Sequence, residues 1–227
     1  MQSILGKLLW VSKAVRFSRV FVSRIIAEVR KLKSQSDKVI LSHEIKKDFL
    51  WWDTYLKEFS GVEFIPNLVS STNVFGDACV DGGGAWNEDA HKYFSFPFPR
   101  YMCSADTPIH IKEFIIVILI VWQWGSNWTG RKVRIFCDND AVCDTCVFQK
   151  PKDIKLQQLL REFLFWTCKY NFFPIVEKIG TKENCIADFL SRVHVQSEND
   201  IYFESLDYPR QKRLSVPSGL LSFKAEW

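Results

Sequence analysis

The spacing of apolar residues divides the chain into a helical stretch up to about residue 62 and a mixed stretch after it. Two helices are predicted in the first 33 residues, the second with an apolar stripe of helical spacing at Phe21, Ile25, Val29 and Leu32. A stronger helix is predicted between Ser42, a candidate N-cap, and Gly61, a candidate stop. Its apolar stripe comprises Ile45, Phe49, Trp52, Leu56 and Phe59.

Residues 63–195 alternate between strand and helix patterns. Three short strands, "NVFGDACV", "GGAWN" and "HKYFSFPF", precede a helix that runs from Pro108 to Gly125. A strand, "RKVRIFCD", two helices separated by Pro151, a fifth strand, "FFPIVEKI", and a closing helix follow. The order βββαβαβα predicts one α/β domain, a mixed five-stranded sheet flanked by helices and preceded by a small all-helical segment. Residues 196–227 lose this periodicity and are predicted to be a partly ordered tail.

The charge is unevenly distributed along the 227 residues, whose formal net charge is +4. Residues 1–47 hold 11 basic against three acidic residues, a net charge of +8, so the remainder carries −4. A basic arm beside an acidic body suggests phosphate contacts by the arm and metal chemistry in the body. Two ordinary solvated helix faces remain the alternative. The candidate phosphate-binding residues of the arm are Lys7, Lys13, Arg16, Arg19 and Arg24.

The seven cysteines have no disulfide-framework spacing, and reduced thiols in the cytosol or nucleus are the simplest interpretation. Cys143 and Cys146 form a C-x-x-C without a second pair or a nearby histidine, which makes a zinc or redox site there a minor alternative. The apolar run "FIIVILIVW" is far below the ~20 residues of a membrane span and predicts a core helix.

Four acidic residues fall at the ends of elements on one edge of the predicted sheet: Asp77, Glu113, Asp138 and Asp188. Asp77 lies late on the first strand and Asp138 ends the fourth. If these strands are parallel neighbours, both carboxylates stand at the edge where open α/β sheets build their sites. Glu113 is expected in the first turn of the long apolar helix, and Asp188 inside the closing helix.

Clustered carboxylates repel one another unless a cation neutralises them, and oxygen ligands favour Mg²⁺ or Mn²⁺. Two such ions ~3.5–4 Å apart suit phosphodiester cleavage. The glycines at 82–84 then predict a tight hairpin and a closely approaching backbone after Asp77. Each of the other carboxylates also has a plainer interpretation: Glu113 complementing a helix N-terminus, Asp138 capping the next helix, and Asp188 being solvated.

These segments resemble the ribonuclease H domain of retroelement reverse transcriptases. The resemblance rests on "GDACVDGGGAW", "HIKEF", "CDNDAV" and "NCIADFLSR", of which the last two are the more specific. It implies a ribonuclease H-like fold over residues 63–195. Residue by residue, it also implies that Asp77, Glu113, Asp138 and Asp188 are the four acidic ligands of two Mg²⁺ or Mn²⁺ ions.

Upstream, "MQSILGKLLWVSKAVRFSRVF" and "DFLWWDTYLKEFSGV" resemble the region that follows the polymerase palm in DIRS-like retrotransposons, and more loosely gypsy-like elements. Residues 1–62 then correspond to a thumb or connection segment. The chain contains no Tyr-x-Asp-Asp polymerase motif. Many relatives carry a histidine six residues before the motif asparagine, and Lys178 stands at that position here.

The resemblance implies an endoribonuclease that hydrolyses the RNA strand of RNA–DNA hybrids and leaves a 3′-hydroxyl and a 5′-phosphate. Its implied partners are such a hybrid and the missing polymerase fingers and palm, with no membrane. Two alternatives stay open: a retroelement-derived binding module that does not cut, and an integrase or transposase core of the same fold class. Trp86, Trp122 and Trp124 could stack on bases, although core positions are the more common role for such residues.

Overall fold

The structure, a computed structural model, describes residues 1–34, 37–58, 71–104, 106–149, 151, 153–193 and 212–214. The described residues fall into two compact units, one with the residues up to 58 and one with those from 71 onwards.

The first unit contains three helices: α1 (Gln2–Val11), α2 (Val20–Val29) and α3 (His43–Glu58). Ser42 caps α3 as predicted, since its hydroxyl accepts a hydrogen bond of 3.3 Å from the backbone N–H of Ile45. Helices α2 and α3 pack through aromatic rings. Phe21 stacks on Trp51 with ring centroids 3.8 Å apart, and the indole N–H of Trp52 donates to the Phe21 carbonyl at 3.2 Å.

The buried face of α3 differs from the predicted stripe. Ile45 and Trp52 are buried as expected, but Leu56 is 42% exposed and Trp51 is fully buried instead. Phe59 and Gly61 lie outside the described residues. The shift arises because the Phe21 ring on α2 stacks against Trp51, and spacing within α3 alone does not reveal that partner.

The second unit is built on a mixed sheet whose strands are β1 (Ser71–Ala78), β2 (Gly82–Asn87), β3 (Lys92–Pro97), β4 (Lys132–Cys137), β5 (Phe173–Lys178) and β6 (Lys212–Arg213). The strand order is β5-β4-β1-β2-β3-β6. β1 pairs in parallel with β4, which pairs in parallel with β5; β2 is antiparallel to β1 and to β3. Five strands form the predicted ribonuclease H-like arrangement, which confirms the fold class. β6, inside the predicted tail, adds two residues in parallel to β3.

The helices of this unit are α4 (Ile109–Trp124), α5 (Asp140–Phe148), α6 (Ile154–Tyr170) and α7 (Cys185–Arg192), and a 3₁₀ turn follows α4. α4 is the core helix that the apolar run predicts. With the 3₁₀ turn, its length and composition would also suit a membrane span, a test that buried core helices pass as well; 72% of its most apolar window is buried.

Gly83 and Gly84 lie within β2, as in the predicted strand "GGAWN", and Gly82 begins this strand at the end of the hairpin turn. The turn is closed by the Cys79 N–H, which donates to the Gly82 carbonyl at 2.9 Å. Successive strand residues face opposite sides of a sheet. A Cβ on Gly83 would lie 2.2 Å from the Ile116 side chain of α4, and one on Gly84 would lie 2.5 Å from Cβ of Leu190 on α7. The glycines therefore let two helices approach the sheet closely from its two sides.

Candidate metal centre

Asp77 and Asp138 lie at the same edge of the sheet, on neighbouring parallel strands. Phe75 of β1 is opposite Phe136 of β4, and two residues further along each strand come Asp77 and Asp138. Asp77 is buried, with 4% of its surface exposed, and Asp138 is half-buried. The two strands thus bring together carboxylates that are 61 positions apart in the chain.

Glu113 reaches this edge from α4. It is the fifth residue of the helix, after the first turn and not within it, so that it does not serve to complement the helix N-terminus. Its carboxylate is buried and accepts two hydrogen bonds. The Ala78 N–H donates to Oε1 at 3.2 Å, and the Cys137 thiol donates to Oε2 at 3.7 Å. Glu113 is therefore held between the ends of β1 and β4.

Asp138 is not the cap of α5. Asn139 takes that role, since its Oδ1 accepts from the N–H groups of Ala141 and Val142 at 3.0 and 3.4 Å. One Asp138 oxygen, Oδ2, instead accepts a hydrogen bond of 3.0 Å from the Thr181 hydroxyl, in the loop between β5 and α7. Thr181 is not recognisable from the sequence, because only the path of that loop brings its hydroxyl to the sheet edge.

Asp188 lies in the first turn of α7 and is paired along the helix with Arg192, whose guanidinium nitrogens lie 2.6 and 2.9 Å from Oδ1. Asp188 is half-buried, and it is near enough to Asp77 to affect the pKa of that residue. It is thus not simply a solvated helix residue.

Three hydrogen bonds dock α7 on the sheet. The Asn184 side-chain amide donates to the Gly76 carbonyl at 3.0 Å, directly before Asp77. The Ser95 hydroxyl donates to the Leu190 carbonyl at 2.6 Å, and the Cys79 thiol donates to the Ser191 carbonyl at 3.1 Å. These bonds fix the helix that carries Asp188 against β1, β3 and the β1–β2 turn.

The environment of Asp77 favours its protonated form. Burial, the main cause, and the negative charges of Asp138 and Asp188 together raise its pKa to about 7. A hydrogen bond with Ser191 and the Arg192 cation act in the opposite direction. One carboxylate oxygen of Asp77, Oδ2, is buried without a hydrogen-bond partner among the residues that the structure describes.

Glu113 is shifted further. Burial, again the main cause, and the charges of Asp77 and Asp138 raise its pKa to about 9. The hydrogen bonds from Ala78 and Cys137 offset only part of this shift. The charges of Asp138 and Asp188 raise the pKa of Asp77, and those of Asp77 and Asp138 raise the pKa of Glu113. These mutual influences indicate that the four acidic residues lie near one another.

This donor set fits a divalent cation. Glu113, Cys137 and Asp138 each offer a ligand atom, and these atoms lie within 4.8 Å of one another. The unpartnered oxygen of Asp77 is a further donor that a cation would satisfy. A bound cation would also compensate the buried negative charges, whose burial and mutual repulsion raise both pKa values. Cys137 is a ligand candidate that the sequence analysis missed, since nothing in its spacing distinguishes it from a core residue.

Lys178, at the position for which the resemblance implies a histidine, ends β5 and forms an ion pair with Asp140 at the start of α5. This partner raises the pKa of the lysine, which therefore stays charged. A permanently charged ammonium group cannot accept a proton as a neutral imidazole would.

The five basic residues singled out in the N-terminal arm differ in their surroundings. Lys7, Lys13 and Arg19 are exposed, whereas Arg16 is half-buried with its guanidinium 6.0 Å from the centroid of the Phe17 ring. Arg24 lies 2.8 Å from Glu44 and 3.5 Å from the buried Asp48. Because its charge is already compensated, Arg24 is the least suited of the five to bind phosphate.

The tryptophans considered for base stacking are largely core residues. Trp86 is 7% exposed and stacks on Phe75, with ring centroids 5.4 Å apart, and Trp124 is 3% exposed and stacks on Phe94 at the same distance. Trp122 is half-buried.

No protein-family model matches the chain, and no curated protein matches it. Several solved structures resemble it. Ribonuclease H1 from the halophilic archaeon Halobacterium salinarum NRC-1 aligns with a TM-score of 0.46 at 9% identity, over 56% of this chain and 98% of that one. The N-terminal ribonuclease H domain of a Mycobacterium tuberculosis protein, solved as a fusion with maltose-binding protein, aligns with a TM-score of 0.42 at 15% identity, over 53% and 95%.

A third structure, the foamy viral protease-reverse transcriptase dRH in complex with double-stranded DNA, aligns with a TM-score of 0.37 at 11% identity. The alignment covers 79% of this chain and 34% of that one. At these identities the likeness concerns the fold alone. The structural neighbours of this chain thus include ribonuclease H domains.

Proposed function

We propose that this chain is a metal-dependent endoribonuclease, a ribonuclease H that hydrolyses the RNA strand of RNA–DNA hybrids. The observation that carries the proposal is the convergence of Asp77, Glu113, Asp138 and Asp188 at one sheet edge, with a buried oxygen of Asp77 that lacks a partner among the described residues. Such a site is costly for a protein that does not bind cations there, because buried carboxylates without compensation destabilise the folded state.

The four carboxylates have distinct roles in this proposal. Asp77 and Asp138 would hold both ions, while Glu113 and Asp188 would each help to hold one of them. Two divalent ions held there would supply an activated water and charge stabilisation at the leaving oxygen. Glu113 is oriented by the Ala78 N–H, and Asp138 by the Thr181 hydroxyl. These contacts hold the ligands in place before the ions and the substrate arrive.

The sequence motifs support a narrower assignment, the nuclease end of a retroelement reverse transcriptase of DIRS-like type. Its polymerase fingers and palm would belong to another part of the parent protein, and the free thiols suit an intracellular setting, cytoplasmic or nuclear. In this assignment, Lys7, Lys13, Arg16 and Arg19 bind backbone phosphates, and selectivity for RNA comes from its 2′-hydroxyl groups.

One observation favours a second candidate, a binding module without nuclease activity. Lys178 forms an ion pair with Asp140 where many relatives carry a histidine thought to assist turnover. If the loss of that histidine stops turnover, the chain would hold the hybrid without cutting it.

The test is cleavage of an end-labelled RNA–DNA hybrid in Mg²⁺, with single-stranded RNA and duplex DNA as control substrates. The Asp138→Asn variant is compared with Asp144→Asn, which makes the same chemical change on the exposed face of α5. Cleavage of the hybrid alone, lost in Asp138→Asn and kept in Asp144→Asn, supports the nuclease. Retained hybrid binding without cleavage in Mg²⁺ or Mn²⁺ favours the binding module, and joining of DNA ends favours an integrase or transposase core.

A further inference from the structure

Cys137 places a sulfur atom among the oxygen donors of the candidate metal centre. It is the last residue of β4 and is fully buried. Its Sγ lies 3.7 Å from Oε2 of Glu113, and Asp138 follows it directly. Ligand atoms that share a tetrahedral ion at ~2.0–2.3 Å lie roughly 3.3–3.8 Å apart. The distance between Sγ and Oε2 is already within this range.

A sulfur donor changes which ions such a site prefers. Oxygen ligands alone suit Mg²⁺ and Mn²⁺, whereas a thiolate selects softer ions such as Zn²⁺ and Cd²⁺. Zn²⁺ in particular accepts mixed sets of sulfur and carboxylate ligands in tetrahedral geometry. The three atoms from Glu113, Cys137 and Asp138 lie within 4.8 Å of one another, so modest side-chain movements would bring them around one ion.

A separate observation indicates a ligand at this place. Asp77 is 4% exposed, and its Oδ2 has no hydrogen-bond partner within the described part of the chain. Its charge interacts with those of Glu113 and Asp138, so it belongs to the same cluster. A tetrahedral ion held by three protein ligands has room for a fourth donor such as water, and its positive charge would also compensate the nearby carboxylate of Asp77.

We propose that Cys137, Glu113 and Asp138 form a binding site for one thiophilic divalent cation, Zn²⁺ or Cd²⁺, which competes with Mg²⁺. On binding, the ion forms bonds to Sγ and to the carboxylate oxygens and displaces the thiol proton, together with the proton that Glu113 holds at neutral pH, to solvent, without any oxidation or reduction. The ion blocks Mg²⁺ because both would use Glu113 and Asp138. The binding site stands on the geometry alone, and only its inhibitory consequence rests on the proposed nuclease function.

Other cysteines of the chain are alternative ligands for the same ion. Cys143 and Cys146 form the C-x-x-C of α5, and Cys143 is next to Cys137, with its Sγ 3.7 Å from the Cys137 carbonyl oxygen. Cys185 is exposed. A test of the proposal must therefore distinguish coordination by Cys137 from coordination by these cysteines.

The experiment titrates the metal-free, fully reduced protein with Cd²⁺ and follows the thiolate-to-cadmium charge-transfer absorption in the ultraviolet. All variants carry Cys185→Ser, so that the exposed thiol does not contribute. We expect a band that saturates at one equivalent and is reversed by excess Mg²⁺. Cys137→Ser should remove the band and weaken Cd²⁺ binding by at least about 10-fold, a loss comparable to that from disrupted metal-site contacts. Glu113→Gln should weaken the binding but leave the sulfur donor.

The matched control is Cys143→Ser, which changes the neighbouring buried thiol and should keep the band. Loss of the band in Cys143→Ser with retention in Cys137→Ser would overturn the proposal in favour of the C-x-x-C. Absence of any band would overturn it outright. Circular dichroism checks that each variant is folded. If Cys137→Ser does not fold, the comparison of Glu113→Gln with Cys143→Ser decides, since only the proposed site predicts weaker binding in the former.

Failure of the proposed nuclease would be distinguishable from failure of this site. The Cd²⁺ titration needs no nucleic acid, so it gives the same answer whether or not the chain cleaves hybrids. If the chain cleaves, Zn²⁺ at micromolar levels should inhibit the Mg²⁺-dependent reaction, and inhibition should be relieved by raising Mg²⁺. Cleavage that persists when Zn²⁺ saturates the site would contradict competition.

Discussion

The buried oxygen of Asp77 has a consequence for stability that depends on pH. The unfolded-state pKa of an aspartate is near 3.8, and in the folded, metal-free protein it is raised to about 7. Below the first value both states bind the proton. Between the two values only the folded state keeps it, so the free energy of unfolding falls as the pH rises through this window and stays low above it.

Asp77→Asn removes this penalty. At pH 8, in the presence of a chelator, we expect the variant to unfold at a temperature roughly 4–8 °C higher than the wild type, corresponding to about 2 kcal/mol. At pH 4 the two should unfold at similar temperatures. Thermal unfolding followed by circular dichroism at both pH values measures this. Mg²⁺ should stabilise the wild type and not the variant, and a variant that is less stable at pH 8 would contradict the raised pKa.

Thr181 is expected to tune the site through its hydroxyl, which donates to Asp138 Oδ2 at 3.0 Å. Hydrogen bonds to charged groups contribute about 1.5–3 kcal/mol, and the exposure of Thr181 places this bond at the lower end. Thr181→Val should therefore reduce kcat/KM for hybrid cleavage by roughly 10-fold. Thr181→Ser keeps the hydroxyl and is the control. A loss in Thr181→Ser without a loss in Thr181→Val would show that the methyl group, and not the hydrogen bond, is what matters.

Among single residues, the carboxylates of the site could be predicted from the sequence, but the groups that form hydrogen bonds with them or lie beside them could not. Asp77 and Asp138 could be predicted because a strand period and a parallel pairing bring strand ends together. Thr181, Asn184 and Cys137 could not, because their roles depend on a loop path and on side-chain directions that local patterns do not specify.

Among the contacts between helices and strands, the packing of α7 on β2 positions the candidate site. Asp77 pairs across the sheet with Gly84, and the missing side chain of Gly84 leaves space for Leu190 of α7. The helix that carries Asp188 can therefore approach the face on which Asp77 lies. A side chain at position 84 would push this helix away from the sheet.

Gly84→Ala tests this arrangement. The new Cβ would lie 2.5 Å from Cβ and 2.7 Å from the backbone carbon of Leu190, so α7 must move. Overpacking of this kind costs about 1–3 kcal/mol, which would lower the unfolding temperature by roughly 2–10 °C. We also expect weaker Mg²⁺-dependent stabilisation, since Asp188 moves with the helix.

The control for Gly84→Ala is Gly180→Ala, which adds the same methyl group at an ordinary van der Waals distance of 3.4 Å from Oε2 of Glu183. It should unfold at nearly the same temperature as the wild type. If both alanine variants lose equal stability, loss of glycine flexibility would explain the effect better than displacement of α7.

Periodicity predicts a helix or strand well where it packs against a single neighbouring element. It predicts less well where two elements pack against the same face. The strands and α4 follow their sequence patterns closely. The glycines at 82–84 predict a turn and a closely approaching backbone at once, because a glycine that admits a helix has the same sequence signature as one that allows a turn. β6 was not foreseen, since two residues have no measurable period.

At the scale of the whole molecule, charge is divided between a basic N-terminal segment and an acidic site in the second unit. The exposed cations Lys7, Lys13 and Arg19 suit phosphate contacts, whereas Arg24 is already paired with Glu44. Each phosphate contact that a cation makes releases condensed counterions, so it steepens the dependence of affinity on salt.

A triple variant in which glutamine replaces Lys7, Lys13 and Arg19 should bind a hybrid with a weaker dependence on salt. The slope of log affinity against log salt concentration should become shallower by up to about 2.7, at ~0.9 per phosphate contact on a B-form duplex. Fluorescence anisotropy of a labelled RNA–DNA hybrid, with Ca²⁺ in place of Mg²⁺ to limit cleavage, measures the slope at several salt concentrations. The control replaces Lys31 and Lys57, which are paired with Glu28 and Asp53. If the arm binds the hybrid, the slope falls more per charge removed in the first variant than in the control. Equal changes would mean that the N-terminal cations act only through net charge, and the two solvated helix faces would then be the better description of this segment.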